Sequence, residues 1–383
     1  MIGGHEEERR ERLVARLGLE VATRRDAACA GAAFPPIVVV VDGWSALRTP
    51  GGDIAMFALG DSLVRLVVEG AALGLRFVIG TDRATSLTTA IAPSIATRIV
   101  LCPADTAEAA AAGVRFSPLA VGVPGRALIG GRPGVEVQVW HTADLDVTSA
   151  ACRVGGEHRA PGIDLLATDV ALGEVVEADD GPHHRPFGDR STWVVPVGLG
   201  GDSLGVIRVH LRAGEPFLVC GPPRSGRSTA LATISAALTT RQPDVKVLAW
   251  HRGQEATIFT ETVRDAYRCG RRVLVVIDDV ERIEDPQGKL AQLLADDTEF
   301  LRIVLAGRAD VLRSAYGHWS AAARRSRHGL ALRPNPEIDG DLWHTPLPRR
   351  LNVRGGPGRG VVVRDGSHAI VQVARETRGE DPC

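Results

Sequence analysis

The sequence predicts an α/β protein built from two tandem modules with mainly parallel sheets. Three observations carry this prediction: short β-branched strands alternate with helical patterns, the alternation occurs twice along the chain, and each copy ends in a hairpin. Hydrophobic residues make up 44% of the chain and charged residues 24%, which is typical of globular proteins. The net charge of −1 excludes a global attraction to nucleic acid or membranes, so any contact with a polyanion must be local.

The two copies keep the spacing of their landmark residues. Asp42 precedes Asp278 by 236 residues, and Gln138 precedes Gln372 by 234. A continuous apolar run comes directly before each aspartate, IVVVV in the first copy and VLVVI in the second. Continuous Val/Ile strands that alternate with helices indicate a parallel sheet covered on both faces.

The first module is predicted to lack its N-terminal half. A charged amphipathic helix over Glu6–Ala28 leads to the strand IVVVV, a second helix covers Asp61–Leu73, and a hairpin pairs Arg126–Ile129 with Val135–Trp140. No strand, glycine-rich loop and helix come before IVVVV. A sheet without its central strand would expose unpaired backbone and apolar faces, and we interpret the sequence as a shortened reading frame or a deliberately cut piece of a longer chain.

The second module has the complete set of elements. They are, in order, a hairpin over 193–211, a strand over Pro216–Cys220, a glycine loop at 221–229, a helix after this loop, the strand VLVVI, a short helix over Gly288–Leu294, and a hairpin that pairs Gly360–Arg364 with Ala369–Val373. The predicted division is a partial module at 1–150, a linker at 151–190 rich in proline, glycine and charge, and a complete module at 191–375.

The glycine loop has the sequence GPPRSGRST, which matches G-x-x-x-x-G-K-[ST] at every fixed position except lysine. Glycine permits a positive φ angle, so that successive backbone N–H groups can surround a phosphate at the start of a helix. The candidate phosphate-binding residues are Gly221, Pro222, Pro223, Arg224, Ser225, Gly226, Arg227, Ser228 and Thr229. The loop therefore predicts a nucleotide site, with ATP as the ligand.

A magnesium site is predicted beside this loop. The Ser228 hydroxyl is one candidate ligand, and Asp278, at the end of the strand VLVVI, is the other, holding the ion through water. The two lie 50 residues apart, a separation that fits neighbouring strands. Asp279 is the candidate catalytic residue, because many nucleotide hydrolases with such a loop have a glutamate at this position to orient the attacking water.

Two substitutions make nucleotide binding a firmer prediction than turnover. Asp279 is one methylene shorter than glutamate, and reaction rates depend steeply on the position of the reacting groups. Arg227 replaces a compact ammonium with a planar guanidinium, which still binds phosphate oxygens through two N–H groups. In the first copy Gly43 follows Asp42, and we interpret Asp42 as a structural remnant.

Together these segments resemble the FtsK/SpoIIIE P-loop motor domain. The resemblance is carried by the strand–GxxxxGxST–helix unit, the segment VPVGLGGDSL and the terminal PGRG…VQVA hairpin, and the tandem arrangement resembles the later modules of actinobacterial members, including type VII secretion ATPases. It implies RecA-like P-loop NTPase modules that form homo-oligomeric hexameric rings, bind ATP between neighbours, and move DNA or exported proteins. It also implies a γ-phosphate sensor, with Thr81 as the better candidate and Gly307 or Arg308 as weaker ones.

Three functions remain open at this stage. The leading hypothesis is an ATP-binding part of an FtsK/SpoIIIE-like translocation motor with weak or no hydrolysis. The alternatives are an active DNA-translocating ATPase and a degenerate module that docks a protein signal. The basic run at 324–328 lacks interleaved aromatics, which favours a solvated face over a DNA path. No apolar run reaches the roughly 20 residues needed to span a bilayer, so we expect a cytoplasmic chain, with a membrane-bound partner left open.

Overall fold

The computed structural model describes residues 2, 6–29, 33–48, 54–87, 89–101, 106–114, 123–130, 135–140, 162–179, 192–315, 317–347 and 356–376. Its helices are α1 (Glu7–Ala28), α2 (Ile54–Gly70), α3 (Thr106–Ala111), α4 (Leu172–Glu177), α5 (Arg227–Arg241), α6 (Ala256–Arg268), α7 (Lys289–Leu294) and α8 (Ala309–Ser314). Its strands are β1 (Ile37–Val41), β2 (Leu75–Ile79), β3 (Ile99–Leu101), β4 (Arg126–Ile129), β5 (Val135–Gln138), β6 (Thr192–Gly200), β7 (Gly205–Arg212), β8 (Phe217–Cys220), β9 (Lys246–Ala249), β10 (Val273–Ile277), β11 (Leu301–Gly307), β12 (His328–Leu332), β13 (Arg359–Arg364) and β14 (Ser367–Val373).

The chain forms two compact units, Met1–Asp164 and Leu165–Cys383. The division falls inside the predicted linker at 151–190. The predicted module limits, 1–150 and 191–375, stay predictions.

The second part of the predicted linker packs onto the second unit. Residues 165–179 include the helix α4, and Val170, Leu172 and Val175 are buried in the same core as the sheet. The abundant charge and proline of the whole segment hid these regularly spaced apolar side chains. This part of the predicted linker thus belongs to the second unit, while the linker limits stay predictions like the module limits.

A nine-stranded sheet forms the centre of the second unit, in the order β7-β6-β14-β13-β12-β8-β11-β10-β9. Strands β12, β8, β11, β10 and β9 are parallel, and the other four extend the sheet in antiparallel pairing. The carboxyl ends of the parallel strands meet at one edge of the sheet, which is where ligands bind in open α/β sheets.

Both faces of this sheet are covered, as the apolar strands predict. On one face Leu274 and Val276 of β10 belong to a buried cluster with Ile234 of α5. On the other face Val275 of the same strand belongs to a cluster with Val263 of α6. Residues alternate between the faces because successive side chains of a strand point in opposite directions.

The first unit repeats parts of this architecture. Strands β1 and β2 pair in parallel as β10 and β11 do, and β3, β4 and β5 form an antiparallel sheet like β12, β13 and β14. One side-chain contact recurs as well. The Gln138 Nε2 group donates to the Pro124 carbonyl at 3.0 Å, and Gln372 donates to Pro357 at 3.0 Å. The internal repeat is therefore present in the structure.

Among the residues that the structure describes, no strand joins the two sheets of the first unit. In the second unit β8 pairs with both β11 and β12, whereas no described strand of the first unit joins β2 to β3. One face of β1 is consequently bare: Val38 and Val40 are 61% and 70% exposed, although their repeat equivalents Leu274 and Val276 are buried. Val78, Ile99 and Leu101 are also exposed. The described part of the first unit thus holds no counterpart of β8, as the sequence predicts.

Candidate nucleotide-binding site

The glycine loop joins the end of β8 to the start of α5. Two of its residues have the left-handed backbone conformation, Arg224 with φ 61° and Gly226 with φ 101°. A Cβ atom at Gly221 would lie 2.6 Å from the Leu332 carbonyl oxygen, so only glycine fits there without displacing backbone. The Ser225 carbonyl accepts the N–H of Gly358 at 2.8 Å, which ties the loop to the terminal hairpin.

The loop presents backbone donors at the first turn of α5. The N–H groups of Arg227, Ser228 and Thr229 have no acceptor among the residues that the structure describes. The first N–H groups of a helix have no partner within it, and the helix dipole adds partial positive charge there. This end of α5 is therefore suited to a phosphate group.

Ser228 and Asp278, the two predicted metal ligands, meet. The Ser228 hydroxyl donates to Asp278 Oδ2 at 2.5 Å, and Asp278 Oδ1 accepts the N–H of Asp279 at 2.7 Å. A hydroxyl and a carboxylate are oxygen ligands of the kind that Mg²⁺ prefers, so the residues present fit this ion.

The strands that carry these ligands are not neighbours, contrary to the sequence-based expectation. Strand β11 lies between β8 and β10 and pairs with both. The spacing of 50 residues did not reveal this order, because a later part of the chain inserts between the two strands. The side chains still meet, since Ser228 approaches from the helix that follows the loop.

Arg227, at the lysine position of the motif, is engaged by neighbouring groups. Its Nη2 donates to Asp279 Oδ1 at 2.9 Å and its Nη1 to the Gly221 carbonyl at 3.0 Å. Nitrogens of Arg252 and Arg282 lie 3.7 and 3.6 Å from Asp279 Oδ2. Arginines therefore surround the carboxylate that the sequence predicts to orient water.

Gly307 and Arg308, the sensor candidates of the second unit, do not offer a free polar side chain at the end of β11. Gly307 ends β11 and has no side chain, and the Arg308 guanidinium binds Asp310, with 2.6 Å between Nη2 and Oδ2. The hydrogen bonds that Arg308 donates to Asp310 raise the pKa of Arg308 above its usual value. Thr81 belongs to the first unit, where its hydroxyl lies 2.7 Å from that of Ser86.

Sequence reasoning missed one residue of the site, Glu281. Its side chain is 5% exposed, and its Oε1 atom lies 4.0 Å from Arg227 Nη1. Neither carboxylate oxygen has a hydrogen-bond partner among the described residues. The surrounding sequence, VERI, gave no signal that separates this glutamate from a charge on the surface of a turn.

The remaining candidates lie elsewhere. Asp42 Oδ1 accepts the N–H of Gly43 at 2.9 Å, the same local contact that Asp278 makes with Asp279, so the interpretation of Asp42 as a structural remnant stays a prediction. The basic run at 324–328 is not the continuous solvated face that we expected, because Ser326 and His328 are buried at the start of β12.

No helix among the described residues is long and apolar enough to cross a membrane.

Comparisons with known proteins were made for the whole chain. No family model matches it. The chain is 24% identical over 224 residues to ESX-1 secretion system protein EccCb1 of Mycobacterium tuberculosis, an alignment that covers 56% of this chain and 36% of the relative. It is 28% identical over 205 residues to ESX-4 secretion system protein EccC4 of the same organism, covering 54% and 15%. The chain thus spans about a third or less of these relatives.

Two solved structures share the fold over 97% of the chain. ATPases 2 and 3 of EssC from Geobacillus thermodenitrificans match with a TM-score of 0.68 at 17% identity, over 80% of that chain. ATPases 2 and 3 of Thermomonospora curvata EccC, in complex with a signal sequence peptide, match with a TM-score of 0.63 at 20% identity, over 77% of that chain. The resemblance to FtsK/SpoIIIE-type motors is confirmed: this chain has the fold of the tandem EssC and EccC ATPase domains of type VII secretion and is related in sequence to EccC proteins.

Proposed function

We propose that the second unit binds ATP together with Mg²⁺ at the glycine loop, hydrolyses it slowly if at all, and serves a cytoplasmic motor that exports proteins. The observation that carries this proposal is the 2.5 Å hydrogen bond between the Ser228 hydroxyl and Asp278. It brings a hydroxyl from the loop helix and a carboxylate from a strand end into one site, beside N–H groups with no acceptor among the described residues.

Each part of the glycine loop has its own role in binding the nucleotide and the ion. The N–H groups of residues 226–229 bind phosphate oxygens, and Gly221 lets the chain turn without a clash. Ser228 and Asp278 hold the ion, which neutralises phosphate charge when bound. Pro223 and Arg224 form the exposed part of the loop beside the half-buried Pro222, Ser225 is buried, and Thr229 continues the donor surface into α5.

Slow turnover follows from the contacts of Arg227. Its guanidinium donates to Asp279 and to the loop carbonyl of Gly221, so it must exchange at least one of these partners to reach a phosphate. Its planar fork also differs in shape from the ammonium group that the motif places there. A misplaced cationic group at residue 227 lowers the rate of ATP hydrolysis strongly, while the loop still binds the nucleotide.

We expect the Arg227→Lys variant to hydrolyse ATP at least about tenfold faster than the wild type, because a compact ammonium replaces the ion-paired fork. Steady-state phosphate release by the full chain measures the effect. Arg268→Lys, the same change at an exposed arginine that ends α6, is the control and should leave the rate within about twofold. A rate for Arg227→Lys at or below that of the wild type contradicts this explanation of slow turnover.

Exported protein is the cargo that we propose. The relatives are named as ESX secretion system proteins, and one structural neighbour was solved with a signal sequence peptide. The run at 324–328 is interrupted by buried residues, which leaves no continuous basic stripe there for DNA. A homo-oligomeric ring and a membrane-bound partner complete the proposal. Salt-sensitive stimulation of hydrolysis by DNA, measured against stimulation by a signal peptide, would favour DNA translocation instead.

A further inference from the structure

Glu281 is a buried carboxylate to which the proposed function gives no task. It lies in the turn Val280–Arg282 directly after Asp279. Its side chain is 5% exposed, and both carboxylate oxygens lack a hydrogen-bond partner among the described residues. Burying a carboxylate without hydrogen bonds opposes folding, because the charge loses its hydration without replacement. The stability of the fold does not explain a glutamate at this position.

The carboxylate lies between the glycine loop and the end of β11. Its Oε1 is 4.0 Å from Arg227 Nη1, and a Cβ atom at Gly307 would lie 2.8 Å from its Oε2. The Gly307 carbonyl in turn accepts the N–H of Gly221 at 3.3 Å, so this strand end touches the loop. The residue at the position of Arg227 reaches the β- and γ-phosphates in this motif. Glu281 therefore lies on the γ-phosphate side of the loop.

The absence of a side chain at Gly307 makes room for Glu281. Any larger residue at the end of β11 would collide with the Glu281 carboxylate, as well as with Val280 and Leu312. The strand end thus lacks a polar side chain of its own, and the neighbouring glutamate occupies the space. The Glu281 carboxylate thus occupies the space that a side chain at residue 307 would need.

Asp279 is poorly placed for the task of orienting water. Its Oδ1 is bound by Arg227, while guanidinium nitrogens of Arg252 and Arg282 lie within 4 Å of its Oδ2. The backbone at Asp279 has φ 46°, a left-handed conformation that is unusual for a residue other than glycine. Glu281 is longer by one methylene and has both oxygens without a hydrogen-bond donor among the described residues.

We propose that Glu281, rather than Asp279, is the catalytic carboxylate of this site and orients the water that attacks ATP. The inference rests on the proposed function. In this step the water oxygen forms a bond to the γ-phosphorus while the bond from that phosphorus to the β–γ bridging oxygen breaks. The bridging oxygen leaves on ADP with the electron pair, and Glu281 accepts the proton that the water loses.

Three measurements on the full-length chain test this assignment: calorimetric titration with ADP and with the slowly hydrolysed analogue ATPγS, steady-state phosphate release from ATP, and thermal unfolding without nucleotide. The variants are Glu281→Gln, Asp279→Asn and, as an exposed control three residues along the chain, Glu284→Gln. Glutamine keeps the shape of glutamate and removes only its charge.

Glu281→Gln should raise the affinity for ATPγS relative to ADP by about fivefold or more, because a negative charge beside the γ-phosphate is lost. It should lower phosphate release by at least about tenfold. Its Tm without nucleotide should equal or exceed that of the wild type, since a buried charge without hydrogen bonds is removed. Asp279→Asn should lower phosphate release less than Glu281→Gln does, and Glu284→Gln should match the wild type in all three measurements.

Several results would overturn the assignment. These are an unchanged ratio of ATPγS to ADP affinity in Glu281→Gln, a Tm that falls by several degrees, a larger rate loss in Asp279→Asn, or no phosphate release by a wild type that binds nucleotide. In each of these cases nucleotide binding, and with it the proposed function, survives. If the wild type binds neither ADP nor ATPγS, the proposed function itself fails.

Discussion

Val276→Asp should destabilise the second unit by about 4 kcal/mol or more, because it buries a charge in an apolar cluster. Val276 is 8% exposed and lies in the cluster that includes Ile234 and Leu238 of α5. These residues line the face of the sheet beneath the helix of the nucleotide site. Differential scanning calorimetry of the full chain measures the loss as a lower melting temperature.

Val40→Asp is the matched control, since Val40 precedes the strand-terminal Asp42 by the same two residues that separate Val276 from Asp278. Val40 is 70% exposed. Its replacement should change the free energy of unfolding by no more than about 0.5 kcal/mol, and it should reduce aggregation by adding charge to an apolar face. An equally large loss for the two variants would mean that the face of β1 is buried in solution, contrary to the structure.

Asp278→Asn should weaken binding of Mg-ATP by about 10- to 100-fold, the range found when a carboxylate that positions a metal ion is changed. The variant keeps the shape of the side chain but loses the charge that faces the ion, and the hydrogen bond with Ser228 is weakened. Calorimetric titration of the full chain with ATP, with magnesium and then with a chelator, measures the effect.

The chelator distinguishes a metal effect from damage to the fold. Without magnesium the wild type and Asp278→Asn should bind ATP with similar affinity, because the aspartate then has no ion to hold. Asp244→Asn changes an exposed aspartate before β9, at the opposite end of the parallel strands, and should behave as the wild type does. If the difference between wild type and Asp278→Asn persists in chelator, the aspartate acts on the loop itself and not through the ion.

Much of the fold follows from patterns that are visible in the sequence. The continuous run VLVVI predicts a strand buried on both faces, and all five of its residues are buried in β10. The glycine loop predicts a helix start, and α5 begins at Arg227. The internal repeat predicts the missing central strand of the first unit, because equivalent landmarks keep their spacing while the segment before IVVVV has no counterpart of β8.

The contacts inside the site were less predictable. Chain spacing does not encode the order of strands in a sheet, so the insertion of β11 between β8 and β10 was not expected. The pairing of Arg227 with Asp279 depends on the left-handed backbone at Asp279, which is unusual for a residue other than glycine. The burial of Glu281 depends on the space beside Gly307, a residue 26 positions further along the chain.

The most direct test of the account is a calorimetric titration of the wild-type chain with ATP in the presence of Mg²⁺. The account predicts saturable heat with one nucleotide per chain, because the glycine loop pattern occurs once in the sequence, and a lower affinity for Asp278→Asn. A flat titration with a folded wild-type chain, or an affinity that Asp278→Asn leaves unchanged, would contradict it.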